Sequence, residues 1–190
     1  MSVDRFELAK QEYIKLKDEQ TKRIGFRDNL LYVNLLLMSG IFSFAFADKN
    51  AGHWQYHGLL IAGWVALVLG WTYVVNDEKI SAIGRYIRKD LASSLDSRSW
   101  ETVFPWELAH ADDKHRVHRK WEQLIVDEIS FPGIGLFSIV FFWMLAPEHG
   151  VLTTILGLIE MMLLIVLGWE IWVYADLARR HPEEEQKRSA

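Results

Sequence analysis

Residues Thr153 to Trp172 read "TTILGLIEMMLLIVLGWEIW". The run is apolar all round a helical wheel, yet it holds Glu160 near its middle and Glu170 further on. A soluble helix keeps one polar face. A helix that is apolar on every side for about 20 residues fits a bilayer core roughly 30 Å thick. The carboxyl groups are then the informative residues. A charge facing lipid at hydrocarbon depth costs from ~2.5 to more than 10 kcal/mol.

Three further blocks share this character. They are Leu30 to Ala47, "LLYVNLLLMSGIFSFAFA", Gly58 to Val75, "GLLIAGWVALVLGWTYVV", and Phe131 to Ala146, "FPGIGLFSIVFFWMLA". The third is slightly short, and Ile129 and Ser130 can extend it. The opening stretch belongs to a fourth block, Val151 to Ala175. The hydrophobic residues, 51% of the chain, are gathered into these blocks rather than scattered at the periods of a soluble fold. The expected fold is all-α: a polytopic membrane protein with four transmembrane helices. It divides into an N-terminal helix, 1–29, a first hairpin, 30–75 (spans 30–47 and 58–75), and a helical segment, 76–130. A second hairpin, 131–175 (spans 131–146 and 151–175), and a tail, 176–190, complete it.

Charge sets the expected orientation. Residues 1–29 carry seven Lys or Arg, residues 76–130 carry nine and the tail four, whereas the two short connections carry only Lys49. The positive-inside rule puts both termini and the middle segment in the cytosol. The first 28 residues lack the basic start, apolar core and cleavage site of a signal peptide, so the N-terminus is expected to be retained. Trp54 and Trp143 fall at the outer edge. Trp71, Tyr73, Trp169, Trp172 and Tyr174 fall towards the inner one, where amphipathic rings anchor.

The cytosolic parts read as helical extensions of the spans. Ile80, Ile83, Ile87 and Leu91 recur at helical spacing, so the second span continues below the membrane, interrupted only by Gly84. Pro105 marks a turn. A helix from about Asp112 to Glu128 leads to the third span, with Ser130 as N-cap and Pro132 in its first turn. The fourth span is expected to run to about Arg180, ended by His181-Pro182. The apolar stripes of these helices need cover, from this chain or from further copies of it.

Glu160 lies roughly 14 Å inside the outer edge at 1.5 Å per residue, so it must face protein or water. Ser39 and Ser138 sit at similar depth and are candidate partners. Thr153 and Leu167 share its helix face. If that face lines a pore, it presents an acidic ring with apolar neighbours, which favours cations and gates by dewetting. The plainer reading is a neutral carboxyl bonded between helices, and a proton relay is a third. Glu170 is interfacial. Asn34 suits a helix–helix hydrogen bond, and Ala62, Ala66 and Gly70 form a small-residue face for packing or oligomerisation.

Two basic clusters remain, "RYIRK" at Arg85 to Lys89 and "KHRVHRK" at Lys114 to Lys120. Arg85, Arg88, Lys89, Arg116, Arg119 and Lys120 suit phosphate, from headgroups or from an anionic nucleotide or oligonucleotide. His110, Asp112, Asp113, His115 and His118 are residue types that bind divalent metals, but match no spacing of a known metal enzyme. With no cysteine there are no thiolate sites. No catalytic or cofactor-binding motif appears, and no metal or cofactor is expected.

The four-span layout with basic cytosolic helices, at "NDEKISAIGRYIRKDL", Asn76 to Leu91, resembles the small membrane effectors of prokaryotic anti-phage systems. Among them it is similar to the membrane component of Hailong-type systems. The resemblance implies a homo-oligomeric ion channel in the bacterial inner membrane. It also implies closure from the cytosolic side by short deoxyadenylate oligomers that a partner nucleotidyltransferase makes. The basic clusters would then hold the oligonucleotide and Glu160 would lie on the conduction path. The competing expectations are a membrane enzyme working through the Asp/His cluster and a non-conducting scaffold or sensor.

Overall fold

The computed structural model describes residues 5–47, 53–91, 116–146 and 150–175, all helix apart from short caps and turns. Helix α1 runs from Arg5 to Phe46 and α2 from Gly58 to Tyr86. A 3-10 turn at His53–His57 precedes α2 and a π-helical turn at Ile87–Leu91 extends it. Helix α3 covers Arg116–Glu128, a second π turn Ile129–Gly133 carries it into α4, Ile134–Leu145, and α5 covers Val151–Tyr174. Among the described residues, four helical runs are long and apolar enough to cross a membrane: Phe6–Phe46, Trp54–Leu91, Val117–Leu145 and Val151–Tyr174.

Helix α2 is the centre of the bundle and packs against α1, α4 and α5. Half of its apolar window is buried, 50% against 22% for α1 and for α5, which lie at the edge. The small residues of α2 explain this. Against it, α5 presents one stripe: Gly157, Glu160, Leu164, Leu167 and Ile171. Gly63 faces Glu160, Ala66 and Gly135 pack with Leu164, and Gly70 faces Leu167 and Phe131. Gly63 to Gly70 and Glu160 to Leu167 each advance seven residues, so α2 and α5 run parallel with their ridges in register. The small-residue face is therefore an intramolecular seam. The outer faces of α1 and α5 expose Leu36, Val151, Leu152, Ile155, Met162 and Ile165.

Helix α1 has 42 residues, about 63 Å of helix, twice the thickness of a bilayer core. The surplus forms a two-helix extension with the end of α2. Ala9, Ile87 and Leu91 make its core with Tyr13, Leu16 and Ile83. Polar bonds continue the seam: the Tyr86 hydroxyl donates to Glu12 at 2.7 Å and Gln20 donates to Ile80 O at 3.3 Å.

The entry to α4 differs from expectation. Ser130 does not cap a new helix: it is buried inside the π turn, with Pro132, and the helix passes straight through. Proline lacks the N–H that would continue the ladder, and widening the turn absorbs it. Asn34 on α1 donates to the Ser130 carbonyl, the helix–helix bond anticipated for it. Tyr73 is no headgroup anchor but buried, its ring tilted against Phe131 with centres 5.0 Å apart. The Pro105 turn and the end of the fourth span near Arg180 lie outside the described residues.

Candidate functional site

Two buried carboxyl groups stand out. Glu160 is 0% exposed and neither of its oxygens has a hydrogen-bond partner. It occupies the middle of the bundle because Gly63, lacking a Cβ, leaves room for the carboxyl against α2. A carboxyl with neither oxygen bonded is costly in any packed interior. It faces neither solvent nor the outer surface.

The serines at its depth do not reach it. The Ser138 hydroxyl, buried, donates to Gly135 O on its own helix at 2.7 Å. Ser39 is exposed and donates to Leu35 O at 2.8 Å. Thr153 donates to Gly150 O at 2.8 Å and closes the first turn of α5. Leu167 is fully buried with Glu160, so both belong to the interior of this chain.

The second carboxyl, Asp127, was not singled out by sequence. The sequence showed only a helix from about Asp112 to Glu128 leading into the third span, with nothing to mark this residue. The structure turns Asp127 inward, 6% exposed, at the level of Tyr73 on α2 and Arg27 on α1. The Tyr73 hydroxyl donates to it and accepts from Gln123 Nε2 at 3.1 Å. Arg27 of α1 pairs with Asp77 of α2 at 2.7 Å and places its guanidinium 5.9 Å from the Tyr73 ring centre. Three helices are thus tied at one level. Tyr73, Asp77, Lys120, Gln123 and Asp127 line a cavity of about 20 Å³, room for about one water. Asp127 Oδ1 has no partner. Burial pushes the Asp127 carboxyl up to about 7, helped by Asp77 and opposed by the Tyr73 hydrogen bond and Arg27.

Of the basic residues, Arg85, Lys89 and Arg119 are exposed. The Arg88 guanidinium lies over Gly84 beside Gln20, on the α1–α2 seam. Lys120 lines the cavity. Arg116 begins α3, and its side chain lies outside the description. Arg85 to Lys89 lie eight to twelve residues beyond Asp77 in sequence, about 12–18 Å along the axis, so the two clusters sit at different levels. His110, Asp112, Asp113 and His115 fall outside the described residues. His118 is exposed and 3.2 Å from Glu122, and no group of three metal-binding side chains occurs among the described residues. No family model matches this chain, and no curated protein and no solved structure matches it either.

Proposed function

We propose that this chain is a multi-pass membrane protein that conducts ions past Glu160, and that its state is set from the cytosol. The positive-inside distribution supports placing the termini and α3 there. Glu160 then sits at hydrocarbon depth. The observation that carries the reading is its complete burial with both oxygens unbonded. A carboxyl needed only for packing would be expected to find a donor, as the buried Ser138 hydroxyl finds the Gly135 carbonyl. One held without a partner on a dry helix seam suits a group that takes up an ion when the seam opens. Leu164 and Leu167, both fully buried below it, supply an apolar closure of the kind that gates by dewetting.

The resemblance supports a homo-oligomer in the bacterial inner membrane, acting in anti-phage defence. The exposed Arg85, Lys89 and Arg119 support regulation by an anionic nucleotide or oligonucleotide, such as a partner nucleotidyltransferase makes. Their separation along the bundle favours an extended polyanion over a mononucleotide. The test is ion flux through the purified chain in liposomes, with and without short oligodeoxyadenylates. Flux that Glu160→Gln alters in rate or selectivity is expected. A chain electrically silent under every ligand condition overturns the reading.

A further inference from the structure

The ion path proposed above has a second station, and its chemistry names the ion. We propose that Asp127, with Tyr73 and Gln123, is a proton-binding site through which protons pass between the aqueous side and Glu160. This inference rests on the ion-path reading and specifies what moves along it.

Three observations on the pocket carry it. Asp127 is 94% buried, and its Oδ1 has no partner although Oδ1 belongs to a residue lining the cavity. The cavity holds about one water, whereas a hard divalent cation takes six to eight oxygen ligands. The charges facing Asp127 disfavour a metal cation of any kind. From α1 comes Arg27, from α2 Asp77 and Tyr73, and from α3 itself Lys120, with Tyr174 of α5 on the rim. Asp77 is already neutralised by Arg27 at 2.7 Å. With Arg27 and Asp77 paired, Lys120 is the cation that remains on the lining beside Asp127 Oδ1, which disfavours a metal ion there and leaves a proton as the fitting guest. Burial raises this carboxyl to about 7, where it exchanges protons near neutral pH.

Between the two carboxyls stand Phe131, Leu164 and Leu167, each fully buried. Phe131 and Leu167 close on Gly70, and Leu164 closes on Gly135. In this form Glu160 is enclosed and an apolar plug separates it from the pocket at Asp127. When the plug parts and water enters, the Asp127 O–H bond breaks towards a water. The resulting hydronium passes the proton to Glu160 once that group has given up its own proton towards the opposite side, and Asp127 is left as carboxylate to be reloaded from the aqueous side.

The experiment uses the full chain in liposomes holding a pH-sensitive dye, with a potassium diffusion potential as driving force. Proton flux is expected in the wild type. Asp127→Asn is expected to lower it about tenfold or more, Asp127→Glu to restore part of it, and Leu164→Ala/Leu167→Ala to raise it. Wild-type flux is expected to change with pH around 7 and that of Asp127→Asn to stay flat, which a merely structural role for Asp127 would not produce. Monodispersity of each variant in detergent excludes misfolding as the cause. If Asp127→Asn conducts protons like the wild type, or if only metal cations pass, this inference is overturned while the ion path past Glu160 stands. If Glu160→Gln leaves all flux unchanged, or the wild type passes nothing, both fall.

Discussion

The carboxyl of Glu160 lies so close to Gly63 that a Cβ at position 63 would overlap its Oε1 and crowd its Cδ. The overlapping atoms are the end of a flexible side chain, but that side chain has no free space to enter, being 0% exposed. Gly63→Ala should therefore displace the carboxyl and couple to it. Its cost in thermal stability should be seen in the wild type and vanish in an Glu160→Ala background. A coupling of about 0.5–3 kcal/mol is expected from a double-mutant cycle of melts in detergent. Additive effects would mean that the carboxyl does not occupy the place described.

Gly70 differs from Gly63 in what it faces. A Cβ there would lie 2.9 Å from Phe131 Cβ, an atom tied to the π turn, as well as 2.6 Å from Leu167 Cδ2. Gly70→Ala should overpack the seam and destabilise by about 1–3 kcal/mol. Gly25→Ala is the control, since nothing lies within 4 Å of a Cβ there. That substitution should stabilise the exposed stretch of α1 by about 0.5–1 kcal/mol.

Arg27 and Asp77 are 19% and 14% exposed, enough burial for the pair to matter. Arg27→Met leaves Asp77 uncompensated near Asp127 and should cost about 3 kcal/mol. Arg27→Met/Asp77→Leu should be more stable than Arg27→Met alone, because no lone charge remains. Chemical or thermal denaturation of the three proteins gives the order directly.

The raised carboxyl of Asp127 also sets a pH dependence. Its value moves from 3.8 to about 7 on folding, so the folded chain holds the proton more tightly than the unfolded one. The stability from this group is fully present below about pH 4 and is lost as pH rises towards 7. Melting temperature should decline across that window in the wild type and decline less in Asp127→Asn. Equal slopes for the two would remove Asp127 as the source.

Removing the Asn34 amide tests the π turn. Asn34→Leu removes the interhelical bond to the Ser130 carbonyl and should cost about 0.6–2 kcal/mol. Hydrogen exchange should rise locally at Ile134, whose N–H reaches Ile129 O across that turn. Unchanged exchange there would show that the turn does not depend on α1.

Some of this was readable along the chain and some was not. The four apolar runs, the continuation of α2 through Ile87 and Leu91 and the inward Glu160 follow from hydropathy and spacing, which are properties of one helix at a time. The Asp127 pocket is different. Its residues come from positions 27, 73, 77, 120, 123 and 127, on three helices far apart in sequence, and no local pattern joins them. Ser130 and Pro132 read locally as a helix start, because the alternative, an unbroken helix with a widened turn, is held by Asn34 of another helix bonding to the Ser130 carbonyl.

The sequence by itself determined that the chain is built of long apolar helices with a carboxyl set deep in the last of them, since length, hydropathy and charge need no partner to be read. Only the tertiary structure decided that Gly63 makes room for that carboxyl, that Leu167 closes on Gly70 and that Asp127 turns inward to Tyr73. The reason is physical. Which face of an all-apolar helix meets its neighbour is set by the fit of small against large residues across the seam, and that fit exists only once two helices are brought together.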